Sequence, residues 1–222
     1  MTLSITVLGI VQGVGYRPFV ARLAQKLGIT GAVKNRGGIV EILANGEKER
    51  IHLFLERLQS ETPVGARVTQ ILTEWIPEKK FETFQIVKSA RDFAETPLIP
   101  ADLPMCEDCK RELYQEGNRR YRYSFISCVA CGPRYSILNA LPYDRETITM
   151  RDFELCASCA REYREENNRR RHAQTVSCHA CGPQLILQTQ DRTLHQEDAL
   201  QNAIQRINQG GVLAVKGIGG DQ

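Results

Sequence analysis

Hydrophobic and polar positions alternate from the start of the chain. Ser4-Ile5-Thr6-Val7-Leu8 has the period of two expected of a half-buried strand. Phe19, Leu23 and Leu27 then recur at helical spacing. Pro18 suits the first helical position, where a missing N–H costs nothing. Ala32-Val33-Lys34-Asn35 and Ile39-Val40-Glu41-Ile42-Leu43 flank Gly37-Gly38, which predicts a hairpin. Ile51, Phe54, Leu55 and Leu58 mark a second amphipathic helix, and Gln70 to Ile76 and Glu82 to Val87 supply two later strands. The order βαββαβ is the split-βαβ plan, one antiparallel sheet with two helices on one face. Residues 1–90 are therefore expected to form an independent α+β domain, large enough to close a core of its own.

From residue 98 the periodic pattern gives way to a duplication. Cys106 and Cys156 are 50 residues apart, as are Cys128 and Cys178. Their surroundings repeat as well: Cys109-Lys110-Arg111-Glu112-Leu113 parallels Cys159-Ala160-Arg161-Glu162-Tyr163. Ser127 to Pro133 likewise parallels Ser177 to Pro183. The repeat region is placed at 98–190, with modules at 103–137 and 153–187. From residue 196 a helix carries Ala199, Leu200, Ala203, Ile204 and Ile207 on one face and runs to Gly210-Gly211. A strand over Val212-Leu213-Ala214-Val215 and the turn Gly217-Ile218-Gly219-Gly220 are expected next, so 196–222 reads as the opening of a further α/β domain.

Composition narrows the function classes. A formal charge of +3 over 222 residues is too small to imply a nucleic-acid partner by itself. No apolar run is long enough to span a bilayer, and Leu3 to Val11 lacks the basic flank and cleavage site of a secretion signal. The expected location is the cytoplasm, without membrane attachment. Thiols stay reduced there, so clustered cysteines point to metal rather than to disulfides. All eight cysteines lie in Cys-x-x-Cys pairs. Two such knuckles make a closed tetrahedral thiolate site of the zinc-ribbon or treble-clef kind, structural rather than catalytic. Two structural Zn2+ ions are expected, with rubredoxin-like iron as the alternative. Cys106, Cys109, Cys128 and Cys131 would hold one ion, and Cys156, Cys159, Cys178 and Cys181 the other. Spacing alone also permits an interleaved pairing, with Cys106 and Cys109 joined to Cys178 and Cys181. His179 is not expected as a ligand. Lys110, Arg111, Arg134 and Arg161 are candidates to offset the thiolate charge. Metal should supply much of each module's folding free energy.

Gly9 to Arg17 joins the first strand to the first helix. Glycines, successive amides and a helix N-terminus make an anion cradle, and Arg17 adds a fork-shaped cation suited to phosphate. A plain glycine-rich connection with Arg17 in solvent is the alternative. Val11-Gln12-Gly13-Val14-Gly15-Tyr16-Arg17 resembles the acylphosphatase signature. The resemblance implies phosphate binding by Gly13, Val14, Gly15, Tyr16 and Arg17, and orientation of the attacking water by Asn35. Two departures are visible: Ala32 stands where that family usually has an aromatic, and the turn after Asn35 is one residue shorter, with Gly38 supplying its glycine.

The domain order, with Arg120-Tyr121-Arg122-Tyr123, Cys131-Gly132-Pro133-Arg134-Tyr135, Leu141-Pro142-Tyr143-Asp144-Arg145 and Arg170-Arg171-His172-Ala173-Gln174, resembles the HypF family of nickel–iron hydrogenase maturation carbamoyltransferases. That resemblance implies a relay. Carbamoyl phosphate is hydrolysed at the acylphosphatase-like site, and carbamate is activated with ATP in a YrdC-like domain. The carbamoyl group then passes to a C-terminal cysteine of a maturation partner, toward the cyanide ligands of the hydrogenase. Here the YrdC-like domain would be cut short within 196–222, so a fragment unable to complete the transfer is expected, with ATP bound only by the missing part. Arg119 to Tyr123 and Arg169 to His172 mix basic and aromatic side chains. They leave two rival readings, a zinc-ribbon RNA-binding module and an inactive scaffold.

Overall fold

The computed structural model describes residues 1–90 and 98–218. Its first part runs β1 (Thr2–Ile10), α1 (Tyr16–Lys26), β2 (Thr30–Arg36), β3 (Ile39–Asn45), α2 (Lys48–Ser60), β4 (Arg67–Ile76) and β5 (Phe84–Ile86). The strands form one sheet in the order β4-β1-β3-β2-β5. β1, β3, β2 and β4 pair antiparallel, and β5 adds to β2 in parallel. Alternation places Leu3, Ile5 and Val7 of β1 and Val40, Ile42 and Ala44 of β3 in the core. Phe19, Val20, Leu23 and Ala24 of α1 and Ile51, Phe54 and Leu58 of α2 close over them.

Two local expectations shift. Helix α1 begins at Tyr16, so Pro18 is its third residue; the tolerance is unchanged, because first-turn amides have no carbonyl to bond. The β2–β3 turn takes its left-handed residue from Gly37, at φ +54°, rather than from Gly38.

The second part is built from short pieces. Helices α3 (Glu107–Tyr114) and α4 (Ala157–Arg164) start directly after Cys106 and Cys156. Single 3-10 turns at Tyr135–Ile137, Arg145–Thr147 and Thr149–Asp152 connect the repeats around a small core of Ile137, Tyr143, Ile148 and Met150. The hairpin β6 (Ile186–Gln188) and β7 (Thr193–His195) leads into α5 (Gln196–Asn208). The strand expected at Val212 to Val215 is not formed: that backbone is irregular, and Val212 and Val215 are exposed. An apolar run becomes a strand only against a partner, and the run has no strand beside it among the described residues. The end of the expected turn, Gly219-Gly220, lies outside the described residues. No described helix is long and apolar enough to cross a membrane.

Candidate active site and metal centres

The loop between β1 and α1 is shaped by glycine. Gly13 and Gly15 sit at φ +69° and +76°, where a side chain would be strained. They are also crowded by the second part of the chain. A Cβ on Gly13 would lie 3.1 Å from Arg134 and 3.2 Å from Tyr143, and one on Gly15 would lie 3.2 Å from Val129. Among the described residues, the amides of Gly13, Val14, Gly15, Tyr16 and Arg17 donate no hydrogen bond to the protein. They remain available to an anion at the start of α1. The Tyr16 side chain turns away into the core, its hydroxyl donating to the Leu58 carbonyl at 3.0 Å; burial raises its pKa.

Arg17 is not solvated. Its side chain is 11% exposed, and the guanidinium donates to Asp144 Oδ1 at 2.6 Å and to Ser89 Oγ at 3.1 Å. The segment after β5 then ties Arg17 to Asn35, because the amide of Ala90 donates to the Asn35 carbonyl at 2.9 Å. The Asn35 side chain is buried, and neither its oxygen nor its nitrogen has a protein partner among the described residues. An amide in that state calls for an explanation, since buried polar groups are nearly always paired. Gln12 binds the whole neighbourhood together. Its nitrogen donates to the carbonyls of Gly37 (2.8 Å) and Ile39 (3.0 Å), and its oxygen accepts from the Tyr143 amide at 3.0 Å. Arg134, almost wholly buried, donates to the Gly13 carbonyl and to those of Cys128, Val129, Cys131 and Pro133. Beside Arg17 opens a cleft of about 470 Å³, walled on one side by Ile86 to Ser89 and on the other by Asp144, Tyr163, His172 and Gln174.

The cysteines gather within their own repeats. Cys106, Cys109, Cys128 and Cys131 form one cluster and Cys156, Cys159, Cys178 and Cys181 the other, with all sulfurs of a cluster inside 4.8 Å. Adjacent Sγ atoms lie 3.6 Å apart for Cys106–Cys128, 3.7 Å for Cys128–Cys131 and 3.8 Å for Cys156–Cys178 and Cys178–Cys181. A tetrahedron with metal–sulfur bonds of about 2.3 Å has edges of about 3.8 Å. Four-thiolate zinc therefore fits both clusters, and the interleaved pairing does not occur. His179 stands apart from the sulfurs, with a ring nitrogen 2.9 Å from the Tyr121 carbonyl.

The charge compensation differs from the one expected. Arg111 pairs with Asp108, and Arg134 is committed to backbone carbonyls. The cations facing the sulfurs come instead from the opposite repeat. Arg119 donates to Cys159 and Cys178, both at 3.1 Å, and Arg169 donates to Cys109 at 3.2 Å. Arg120 clamps Glu162 at 2.6 Å and the Ser177 carbonyl at 2.8 Å; Arg170 makes the same contacts with Glu112, at 2.6 Å, and the Ser127 carbonyl, at 3.0 Å. Burial alone would raise the Glu112 pKa, but hydrogen bonds from Arg170 and Arg169 outweigh it and hold the carboxyl down at about 2. The duplicated repeats thus face one another as two copies in a symmetric dimer would. The basic clusters are internal braces. Periodicity could not reveal this, because the partners sit 42 and 58 residues away.

This bracing carries a prediction. Cys106→Ser should leave one metal per chain. The remaining metal should be lost to a chelator more readily than in the parent, because Arg119, the cation that faces Cys159 and Cys178, is carried by the repeat that has lost its ion. Elemental analysis with a chelator-competition titration checks both; unchanged competition would contradict the coupling.

Comparison with known proteins agrees with the geometry. Residues 3–86 match the Acylphosphatase family, and residues 105–138 and 155–188 each match the HypF finger. A HypF of Methanocaldococcus jannaschii is 50% identical over 99% of this chain, and the carbamoyltransferase HypF2 of Cupriavidus necator is 48% identical over 98% of it. The chain belongs to the HypF family. A crystal structure of full-length HypF in the phosphate- and nucleotide-bound form superposes with a TM-score of 0.89 at 37% identity, over 99% of this chain. The chain spans 29% of that HypF, and 29% and 27% of the two relatives. What it contains of the HypF plan is the α+β acylphosphatase domain and the pair of cysteine fingers.

Proposed function

We propose that this chain hydrolyses carbamoyl phosphate to carbamate and phosphate at the Arg17 site. Arg17 and the amides of Gly13 to Tyr16 hold the phosphoryl oxygens and stabilise the charge they carry while the phosphoryl group passes from the departing carbamate to water. Asn35 has no useful basicity; its amide holds a water in line with the breaking P–O bond. The observation that carries this reading is the buried Asn35 amide, without a protein partner among the described residues and tied through the 89–90 segment to a phosphate-compatible arginine. The crystallised full-length HypF relative was obtained with phosphate and nucleotide bound, which supports a phosphate site in this family.

The eight clustered cysteines hold two structural Zn2+ ions, and residues 98–190 form the finger region after an acylphosphatase domain at 1–90. Residues from 196 onward open the YrdC-like part. In the longer proteins of the family the carbamate would pass to an ATP-dependent step and on to the C-terminal cysteine of a hydrogenase maturation partner, in the cytoplasm. RNA binding by the fingers is the less favoured reading, because Arg119, Arg120, Arg169 and Arg170 are engaged by thiolates and carboxylates. Phosphate release from carbamoyl phosphate without ATP tests the proposal: saturable turnover supports it, and a rate no faster than buffer rejects it.

A further inference from the structure

The acylphosphatase match ends at residue 86, yet the group nearest to Arg17 comes from between the fingers. Asp144 is held there from several sides. Its backbone amide donates to Thr147 Oγ1 at 3.0 Å, and its carboxylate accepts from the first 3-10 turn after it. The residue before it, Tyr143, is buried and fixed by Gln12, and the residue after it, Arg145, donates to Gln174 and to the carbonyls of Val176 and Phe153. The carboxylate thus arrives at Arg17 on a rigid support. Only 24% of the Asp144 side chain is exposed, so solvent screens the contact poorly.

We propose that Asp144 is a positioning residue of the acylphosphatase centre, supplied by the finger region. The proposal rests on the hydrolytic reading of the Arg17 site. Asp144 and Ser89 take one N–H each from two guanidinium nitrogens and so fix the plane of the fork, leaving the other donors for phosphate. The carboxylate also sets an anion beside an anion site. That lowers affinity for phosphate before and after reaction alike, and the product, inorganic phosphate, leaves faster for it. A carboxylate a few ångströms from a phosphate is worth roughly three- to tenfold in affinity at a partly screened site. The fingers then tune the chemistry of a domain whose core is separate from theirs.

Asp144→Asn is the test, since asparagine keeps the shape and the capping ability. Inorganic phosphate should bind roughly three- to tenfold more tightly to this variant. KM for carbamoyl phosphate should fall with it, and kcat should fall as well, because the fork is less well oriented and product leaves more slowly. Asp144→Glu, which keeps the charge, should stay near the parent in phosphate affinity. Unchanged phosphate affinity in Asp144→Asn would overturn the proposal, as would weakened binding accompanied by loss of zinc, which would make Asp144 only a structural cap. Phosphate affinity is read without turnover. A parent inactive toward carbamoyl phosphate, whose Asn variant still binds phosphate more tightly, would reject the hydrolytic reading and leave only the coupling of Asp144 to a phosphate-binding Arg17. An active parent with an indifferent Asn variant would do the reverse.

Discussion

Arg17→Ala should remove phosphate binding and lower turnover of carbamoyl phosphate by roughly a hundredfold or more, the cost typical of deleting one pre-placed electrostatic donor. Arg17 is the only side-chain cation that the loop itself contributes, and it is already oriented by Ser89 and Asp144 before any ligand arrives. Its loss also strands Asp144 beside the cradle as an unpaired anion, which disfavours phosphate further. Asn35→Ala behaves differently. In the proposed role the amide holds only the water, so phosphate affinity should stay near the parent value while kcat falls. Steady-state kinetics with inorganic phosphate as competitor separates the two. Equal loss of binding in both variants would mean that Asn35 supports the loop rather than the nucleophile.

The other large effect is metal removal. Each finger has little core beyond its own cysteines: Tyr123 and Ile126 in one, Ala173 and Val176 in the other. Structural zinc of this kind supplies about 10–16 kcal/mol in isolated finger peptides, far more than such cores can replace. Because each repeat compensates the other's thiolates, chelation should unfold residues 105–188 in one step rather than finger by finger. The sheet of β1 to β5 should persist, since its core is drawn almost wholly from residues 3 to 86, with Leu103 added at its margin. Hydrogen exchange before and after chelation measures this directly. Protection lost together in both fingers and kept in β1 and β3 is the expected pattern; two separate finger transitions would contradict the cross-bracing. The phosphate site should also weaken its hold on Arg17's orientation, because Asp144 and Tyr143 depart with the fingers.

The sheet and its two helices were legible because each buries one face, so Ile5, Val7, Phe19, Leu23, Phe54 and Leu58 announce their elements through simple periods. The cysteine clusters were legible for another reason: thiolate chemistry allows few readings of four knuckles in register. Helices α3 and α4 were missed because eight residues opening at a metal knuckle show too little apolar periodicity to detect. The strand at Val212 did not form, since an apolar run needs a neighbouring strand and none lies beside it among the described residues. The Arg119–Cys159, Arg169–Cys109 and Arg17–Asp144 contacts join residues 40, 60 and 127 positions apart. Such contacts are made by the packing of the two halves, and no local pattern encodes them. A signal did exist for the first two. Arg119, Arg120 and Glu112 recur 50 residues later as Arg169, Arg170 and Glu162, and a duplicated salt-bridge set is what a pseudo-symmetric interface requires.

Hydrolysis of carbamoyl phosphate in water enriched in oxygen-18 tests the central claim most directly. If a water held by Asn35 in line with the phosphoryl group attacks phosphorus, each inorganic phosphate released by this chain should carry one heavy oxygen. Release should need no ATP and should disappear in Arg17→Ala. Phosphate that appears at the rate seen in buffer, or that appears faster but unlabelled, would place the reaction elsewhere and contradict the account.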